Sequence, residues 1–413
     1  MTTKNIYLQR LWEQGTYYQT MKLKISKILA DFQQNYPEMR VFLMGWGNTS
    51  QGLTPTTVTH LVNASRRFGD VNTYSSYEDI QGNLQLRNKV SRNYYLKHIH
   101  REIKPSEIFI TDGAQGVLTG ILDLFDPDNV VALQNPYYPS CYEATLLSGR
   151  TSFIELPCIE EFNFIPDLPK EHADIIYLSF PNNPTGAVMQ REKLQDFVNY
   201  AQAHSSIIIF DAVYSSFVQT PGIPKSIYEI DGADQCAIEI CSFSKSGNLS
   251  GLRVGWVVVP HHLKIADTKD GELQNLWNIR NSIKFWGASN LAQQAAIGLL
   301  SEEGETEIHS NVEYYFANAS LLKKALETAG LVCYGGTDNP YIWIKSPQIQ
   351  SSWQLFYTLL HQTGIVGIPG ILFGSEGEGF LRLSNLGHRK DIEDAAFILN
   401  GCHSITAADG IMQ

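Results

Sequence analysis

At 413 residues, 43% hydrophobic and 18% charged, the chain is long enough for one large domain with a smaller companion and has the make-up of a globular protein. A formal net charge of −11 argues against binding a phosphate backbone over the surface at large, and no apolar run approaches the roughly 18 residues that a membrane span needs. The six cysteines form no CxxC pair, which predicts reduced thiols and no metal site; the expected partner is a small molecule, with no nucleic acid and no membrane.

Taken in chain order, the opening MTTKNIYLQRLWEQG lacks the basic stretch and apolar run of a secretory signal, so a cytoplasmic location is expected. Residues 1–45 are assigned, with 301–413, to a smaller α+β domain, and residues 46–300 to a large α/β domain. Within the large one, Glu107–Thr111 (EIFIT) reads as a strand running into Gly113 and a helix that begins near Gln115. A further buried run, Val130–Leu133, precedes NPYYPS. The run Asp174–Phe180 ends in the turn former PNNPTG; Leu194, Phe197, Val198 and Ala201 then recur at helical spacing, and Ser206–Tyr214 is again a buried-strand pattern. That succession is a βαβ unit, and with Ala237–Phe243 it predicts a mixed, mostly parallel sheet flanked by helices. Beyond it the pattern gives a helix over Val312–Leu326 and short strands near Tyr341–Ile344 and Leu381–Leu383.

Ligands of such sheets sit beyond the carboxyl ends of the strands, so the polar residues there carry the candidate chemistry. In SFSKSGNLSGLRVGW, Lys245 stands just past a buried strand, three residues after Ser242 and eight before Arg253. A lysine beside a cation and an apolar wall is a competent Schiff-base nucleophile, and Ser242 and Arg253 suit a phosphate dianion. Asp211 ends an Ile/Phe strand, where a carboxylate needs a cation such as a protonated pyridine nitrogen. Tyr214 and Asn183 are placed to hydrogen-bond the phenolic oxygen of that ring, and Gly113-Ala114-Gln115, at a strand-to-helix turn, offers backbone N–H groups to the phosphate. Tyr138 is a candidate to stack on the ring, and Arg382, inside the apolar GFLRLSNLG, to grip a substrate carboxylate.

PNNPTG, DAVY, SFSK with its following arginine, and the late arginine together resemble the fold-type I pyridoxal-phosphate enzymes of the class I/II aminotransferase family over nearly the whole chain. IPKSIYEI, CAIEICSFSK, GLRVGW, NPYIWIK and Pro369–Gly374 are most similar to its LL-diaminopimelate aminotransferase subgroup. The resemblance implies pyridoxal 5'-phosphate on Lys245 and α-carbon chemistry through an external aldimine and a quinonoid, with Lys245, Asp211 and Tyr214 catalytic. It also implies a homodimer in which Tyr77 reaches the partner's phosphate, and a substrate site that includes Gly47, Ile80, Asn183, Trp286 and Arg382.

Three subgroup contacts to the far end of diaminopimelate are replaced: the acidic residue by Ile80 in SYEDIQG, a lysine by Gln115 in TDGAQG and an asparagine by Trp286 in KFWGAS. A site that has lost the partners of a substrate's polar groups rejects that substrate strongly. The expected activity is therefore an aminotransferase with another specificity. The alternative is β- or γ-elimination with cyclisation or replacement, for example closing a hydroxylated arginine to a cyclic guanidine amino acid such as enduracididine or capreomycidine. Trp46 in GWGNTS, with Glu78 and Asp79, would suit such a guanidinium.

Overall fold

The computed structural model describes residues 18–150, 152–266, 268–402 and 405. Seven strands form the large sheet, in the spatial order Ile108–Thr111, Gly255–Val258, Ala237–Ser242, Ile207–Asp211, Ile175–Ser179, Val131–Asn135, Phe153–Pro157. All neighbours are parallel except those of Gly255–Val258, which runs antiparallel to both Ile108–Thr111 and Ala237–Ser242. The sheet is thus mixed and mostly parallel, as the sequence predicts, although the antiparallel strand is not among the predicted elements.

The near-continuous apolar runs have a direct cause. Side chains alternate along a strand, and here both faces are covered. Ile176, Leu178, Ile208 and Phe210 join one core, with the helix Arg191–His204 contributing Leu194, Phe197, Val198 and Ala201. Ile175, Tyr177, Ile207, Ile209, Ile238 and Ile240 join the other. Glu239 is the polar exception. Its carboxylate accepts from Ser226 Oγ (2.6 Å), Tyr95 Oη (2.7 Å) and the Ile227 N–H (2.8 Å), and burial lifts its pKa to about 7.

A second, four-stranded antiparallel sheet runs Ile368–Pro369, Phe380–Ser384, Tyr341–Lys345, Val332–Gly335. Its core takes Ile25, Phe32, Phe42 and Met44 from the start of the described chain and residues such as Leu326, Ile342, Phe356 and Leu399 from its end. Phe42–Leu43 pairs in parallel with Ile365–Val366, which ties the two segments together. The helix predicted over Val312–Leu326 is longer, Glu302–Thr328, and Ser301 caps it by accepting from the Gly304 N–H. Its first turns are acidic and expose few apolar side chains, so the hydrophobic period that marks its later half begins only at Val312.

Candidate active site

The carboxyl ends of the central strands, the segment after Leu43 and the second sheet enclose a cavity of about 510 Å³. Its lining brings together Gly47, Ala114, Gln115, Tyr138, Asn183, Asp211, Tyr214, Ser242, Lys245, Arg253 and Arg382. Gly113 lies directly behind it: a Cβ on this residue would sit 2.7 Å from Arg253 Nη2.

Each side chain is delivered by a local turn. Asp211 Oδ1 accepts from the Val213 N–H (3.1 Å), a turn that folds the chain back and aims Tyr214 into the cavity. Ser242 Oγ accepts from the Ser244 N–H (3.1 Å), which ends the strand and projects Lys245 beyond it. Gly113 holds φ +93°, a conformation that suits glycine, immediately before the helix Ala114–Gly120. The segment 44–48 is pinned by Met44 N–H to Val366 O (3.0 Å) and Ser384 N–H to Met44 O (2.6 Å).

Lys245 Nζ donates to Gly47 O (2.6 Å). The Asp211 carboxyl is fully buried, and burial pushes its pKa up to about 6, with only the Val213 N–H opposing. Arg382 is 3% exposed; its Nη1 donates to Asn183 Oδ1 (2.7 Å) and its Nη2 to Gly45 O (2.8 Å). The guanidinium lies over the rings of Tyr341 (4.4 Å) and Phe373 (4.8 Å), its Nε has no partner, and no carboxylate pairs with it among the described residues. Neutral carbonyls hold a buried cation ready for an anion.

Tyr341 was absent from the predicted site, although NPYIWIK marks it. Its hydroxyl lies 3.0 Å from that of Tyr214. Burial alone would raise the Tyr341 phenol, but Lys245, Arg382 and the Tyr214 hydrogen bond bring it below the ordinary tyrosine value. Tyr214 is raised well above that value by burial and by Tyr341. Tyr341 is therefore the more readily ionised of the pair. Trp46, expected beside a guanidinium, lines the cavity, and so do Lys22 and Asn48, which are not among the predicted cofactor or substrate contacts.

Gln115, in the place of the subgroup lysine, accepts from the Tyr138 hydroxyl (3.1 Å) and so fixes that ring at the cavity wall. Tyr77, Ile80 and Trp286 do not line the cavity of their own chain. Tyr77 and Trp286 pack edge to face on the surface (6.2 Å between ring centres), and Ile80 lies beside Gly287. Glu78 and Asp79 do not line it either: they accept from Asn83 Nδ2 (3.1 Å) and the Gln81 N–H (2.8 Å). The face of Trp46 is taken by the Lys22 ammonium, 5.5 Å from its ring centre, and the only carboxylate among the described residues of the lining is Asp211. Among the described residues, the cavity of one chain thus lacks the acid that a guanidinium side chain would need.

The donor set fits pyridoxal phosphate: a buried, unpaired acid for a ring nitrogen, an amine for an aldehyde, and an arginine over a glycine turn for a phosphate. The sequence matches the family described as aminotransferase class I and II over residues 40–398. It is 38% identical over 394 residues to an LL-diaminopimelate aminotransferase of Lawsonia intracellularis, covering 92% of this chain and 95% of that one. A second such enzyme, from Parabacteroides distasonis, is 39% identical over 383 residues, covering 90% and 93%. Among solved structures, L,L-diaminopimelate aminotransferase from Chlamydomonas reinhardtii superposes with a TM-score of 0.89 at 33% identity, covering 98% of this chain and 99% of that one. An aspartate aminotransferase from Thermotoga maritima shares the fold, with a TM-score of 0.80 at 22% identity, covering 95% and 98%.

Proposed function

The chain belongs to the class I and II aminotransferase family of pyridoxal-phosphate-dependent enzymes, and we propose that it transfers the amino group of an α-amino acid other than diaminopimelate. The observation that carries this reading is the meeting of an amine (Lys245), a buried acid (Asp211) and an uncompensated guanidinium (Arg382) on one cavity. When bound, pyridoxal phosphate supplies an aldehyde that condenses with amines and a ring that accepts electrons from the α-carbon.

In this reading Asp211 would hold the ring nitrogen, Tyr138 the ring face, and Tyr214 and Asn183 the phenolic oxygen. Asn183 serves two groups, because Arg382 occupies its carbonyl oxygen and leaves its N–H₂ free to donate. Gly113, Ala114, Gln115, Ser242 and Arg253 hold the phosphate, joined by Tyr77 of the partner subunit. Lys245 would hold the aldehyde and carry the proton at the substrate's α-carbon, while Arg382 would orient that carbon by gripping the α-carboxylate beside Gly47. Residues 46–300 form the cofactor domain, and 1–45 with 301–413 the smaller one. A homodimer accounts for Tyr77, Ile80 and Trp286 lying outside their own cavity, in a region where Val71, Tyr74 and Ile283 are also exposed.

The phosphate assignment makes a prediction. Gly113→Ala would force a Cβ against Arg253, so apoprotein titrated with pyridoxal phosphate should bind it roughly 10- to 100-fold more weakly, a cost of about 1.4–2.8 kcal/mol. Unchanged affinity would place the phosphate elsewhere.

Specificity away from diaminopimelate is supported by Ile80, Gln115 and Trp286. Incubation of the holoenzyme with an amino-acid panel, with and without 2-oxoglutarate, should give product only when an acceptor is present, and LL-diaminopimelate should react at least roughly 10²-fold less efficiently than the preferred donor. Turnover without an acceptor would replace transfer with elimination or cyclisation. Efficient use of diaminopimelate would remove the specificity claim.

A further inference from the structure

We propose that a second cavity, walled in part by the residues that follow Tyr214, is an effector site for a free α-amino acid with a small apolar side chain. It has a volume of about 180 Å³, and no described residue lines both it and the catalytic cavity. That volume is below the roughly 300–1,000 Å³ of sites for drug-sized ligands, so the occupant is of the size of a single amino acid.

Three elements build the site. The π-helical segment Val90–Ile99 brings Tyr94 and Ile99, the start of the long helix Glu302–Thr328 brings Glu305 and Ile308, and the chain after Tyr214 brings Ser215 and Lys225. Tyr94, Ile99 and Ile308 offer apolar surface to an alkyl group. The charged groups are left unbalanced. Glu305 Oε2 is taken by the Lys97 ammonium, but Oε1 is closed off from solvent and accepts no hydrogen bond among the described residues. A buried carboxylate oxygen without a donor costs free energy that a ligand N–H would return. Lys225 enters no ion pair with a described residue, since Glu229 accepts from its backbone N–H and pairs instead with Arg191. Burial holds the His98 imidazole, also in the lining, below its ordinary pKa; Glu305 pulls against this, and Lys97 and Lys225 add to it. Glu305 and Lys225 thus act on one uncharged ring, within reach of one small molecule. A zwitterion with an apolar side chain meets all three demands: an ammonium for Glu305, a carboxylate for Lys225 and an alkyl group for the wall.

The site is also joined to the catalytic cavity. Ser215 directly follows Tyr214, and its Oγ lies 2.6 Å from Tyr94 Oη. Val312, another residue of the wall, packs in the apolar cluster that holds Tyr214 and Tyr341. Occupancy therefore bears on two tyrosines of the catalytic cavity.

The holoenzyme is titrated calorimetrically with L-leucine and with 4-methylvalerate, the same skeleton without its amine. Lys225→Met should weaken both ligands roughly 10- to 100-fold, the size of a lost charge-assisted hydrogen bond, whereas Glu305→Gln should weaken leucine and spare the acid. Ile308→Trp, which fills the cavity, should abolish both. At saturating leucine, turnover of the preferred donor should change by roughly fivefold or more in the wild type and by less than about twofold in Lys225→Met, whose turnover without leucine stays at the wild-type level. Absence of saturable leucine binding overturns the inference. So does leucine binding that survives both Lys225→Met and Ile308→Trp, which would belong to the catalytic cavity, or binding at this site that leaves turnover unchanged.

Discussion

Lys245→Ala is expected to lower kcat by on the order of 10⁴-fold or more while leaving the fold in place. Only Lys245, among the residues of the cavity, supplies an amine at the end of the strand Ala237–Ser242, where it can both hold the aldehyde and serve the α-carbon. Lys22, the other lysine of the lining, belongs to the helix Tyr18–Asn35. The structural cost is small, because the side chain is half-buried and makes one hydrogen bond, to Gly47 O, worth about 1 kcal/mol. Circular dichroism and the melting temperature should therefore stay near wild type, while the visible absorption of the bound cofactor is lost. Small exogenous amines should return part of the activity. A variant that keeps a tenth of wild-type turnover would show that another group moves the proton.

Asp211→Asn is expected to have opposite effects on the apoprotein and on catalysis. Burial raises the folded-state pKa from 3.8 to about 6. Below pH 4 the carboxyl is protonated in both folded and unfolded chains and has no effect on stability. As pH rises from about 4 to 6 only the unfolded chain ionises freely, so native stability falls, by about 3 kcal/mol for two pKa units, and stays lower above pH 6. Asparagine removes that loss. The apo variant should be more resistant to urea at pH 8 than apo wild type and equal to it near pH 4. A bound ring cation neutralises the wild-type acid, so the difference should shrink or reverse in the holoenzyme. Turnover should drop roughly 10²- to 10³-fold, because an amide cannot keep the ring nitrogen protonated. Apo forms of equal stability at pH 8 would mean that the acid is not held in a dry site.

Most of the cofactor cavity was legible in the sequence because it sits at strand ends. Ile207–Asp211 is apolar until its last residue, Ala237–Ser242 is so apart from Glu239, and in both the last residue lines the cavity. What escaped came from elsewhere. The strand Gly255–Val258 was hidden because it follows Arg253 without a separating turn former. Gly45 O, which holds Arg382, matters through tertiary position alone, and nothing local marks a backbone carbonyl. Tyr341 belongs to a quoted motif but opens a strand of the second sheet, so its link to Tyr214 depends on how the two sheets meet. Tyr77, Ile80 and Trp286 were nominated by the resemblance alone, and in this chain they do not line the cavity.

The short parallel pairing of Phe42–Leu43 with Ile365–Val366 has a consequence for biosynthesis. The carbonyl that receives Lys245 leaves the ribosome early, but the strand that anchors its segment emerges more than three hundred residues later. The nascent large sheet can assemble with Lys245 in place and still lack one wall of the pocket. Tight capture of the vitamin is therefore a late event, postponed until nearly the whole polypeptide has been made.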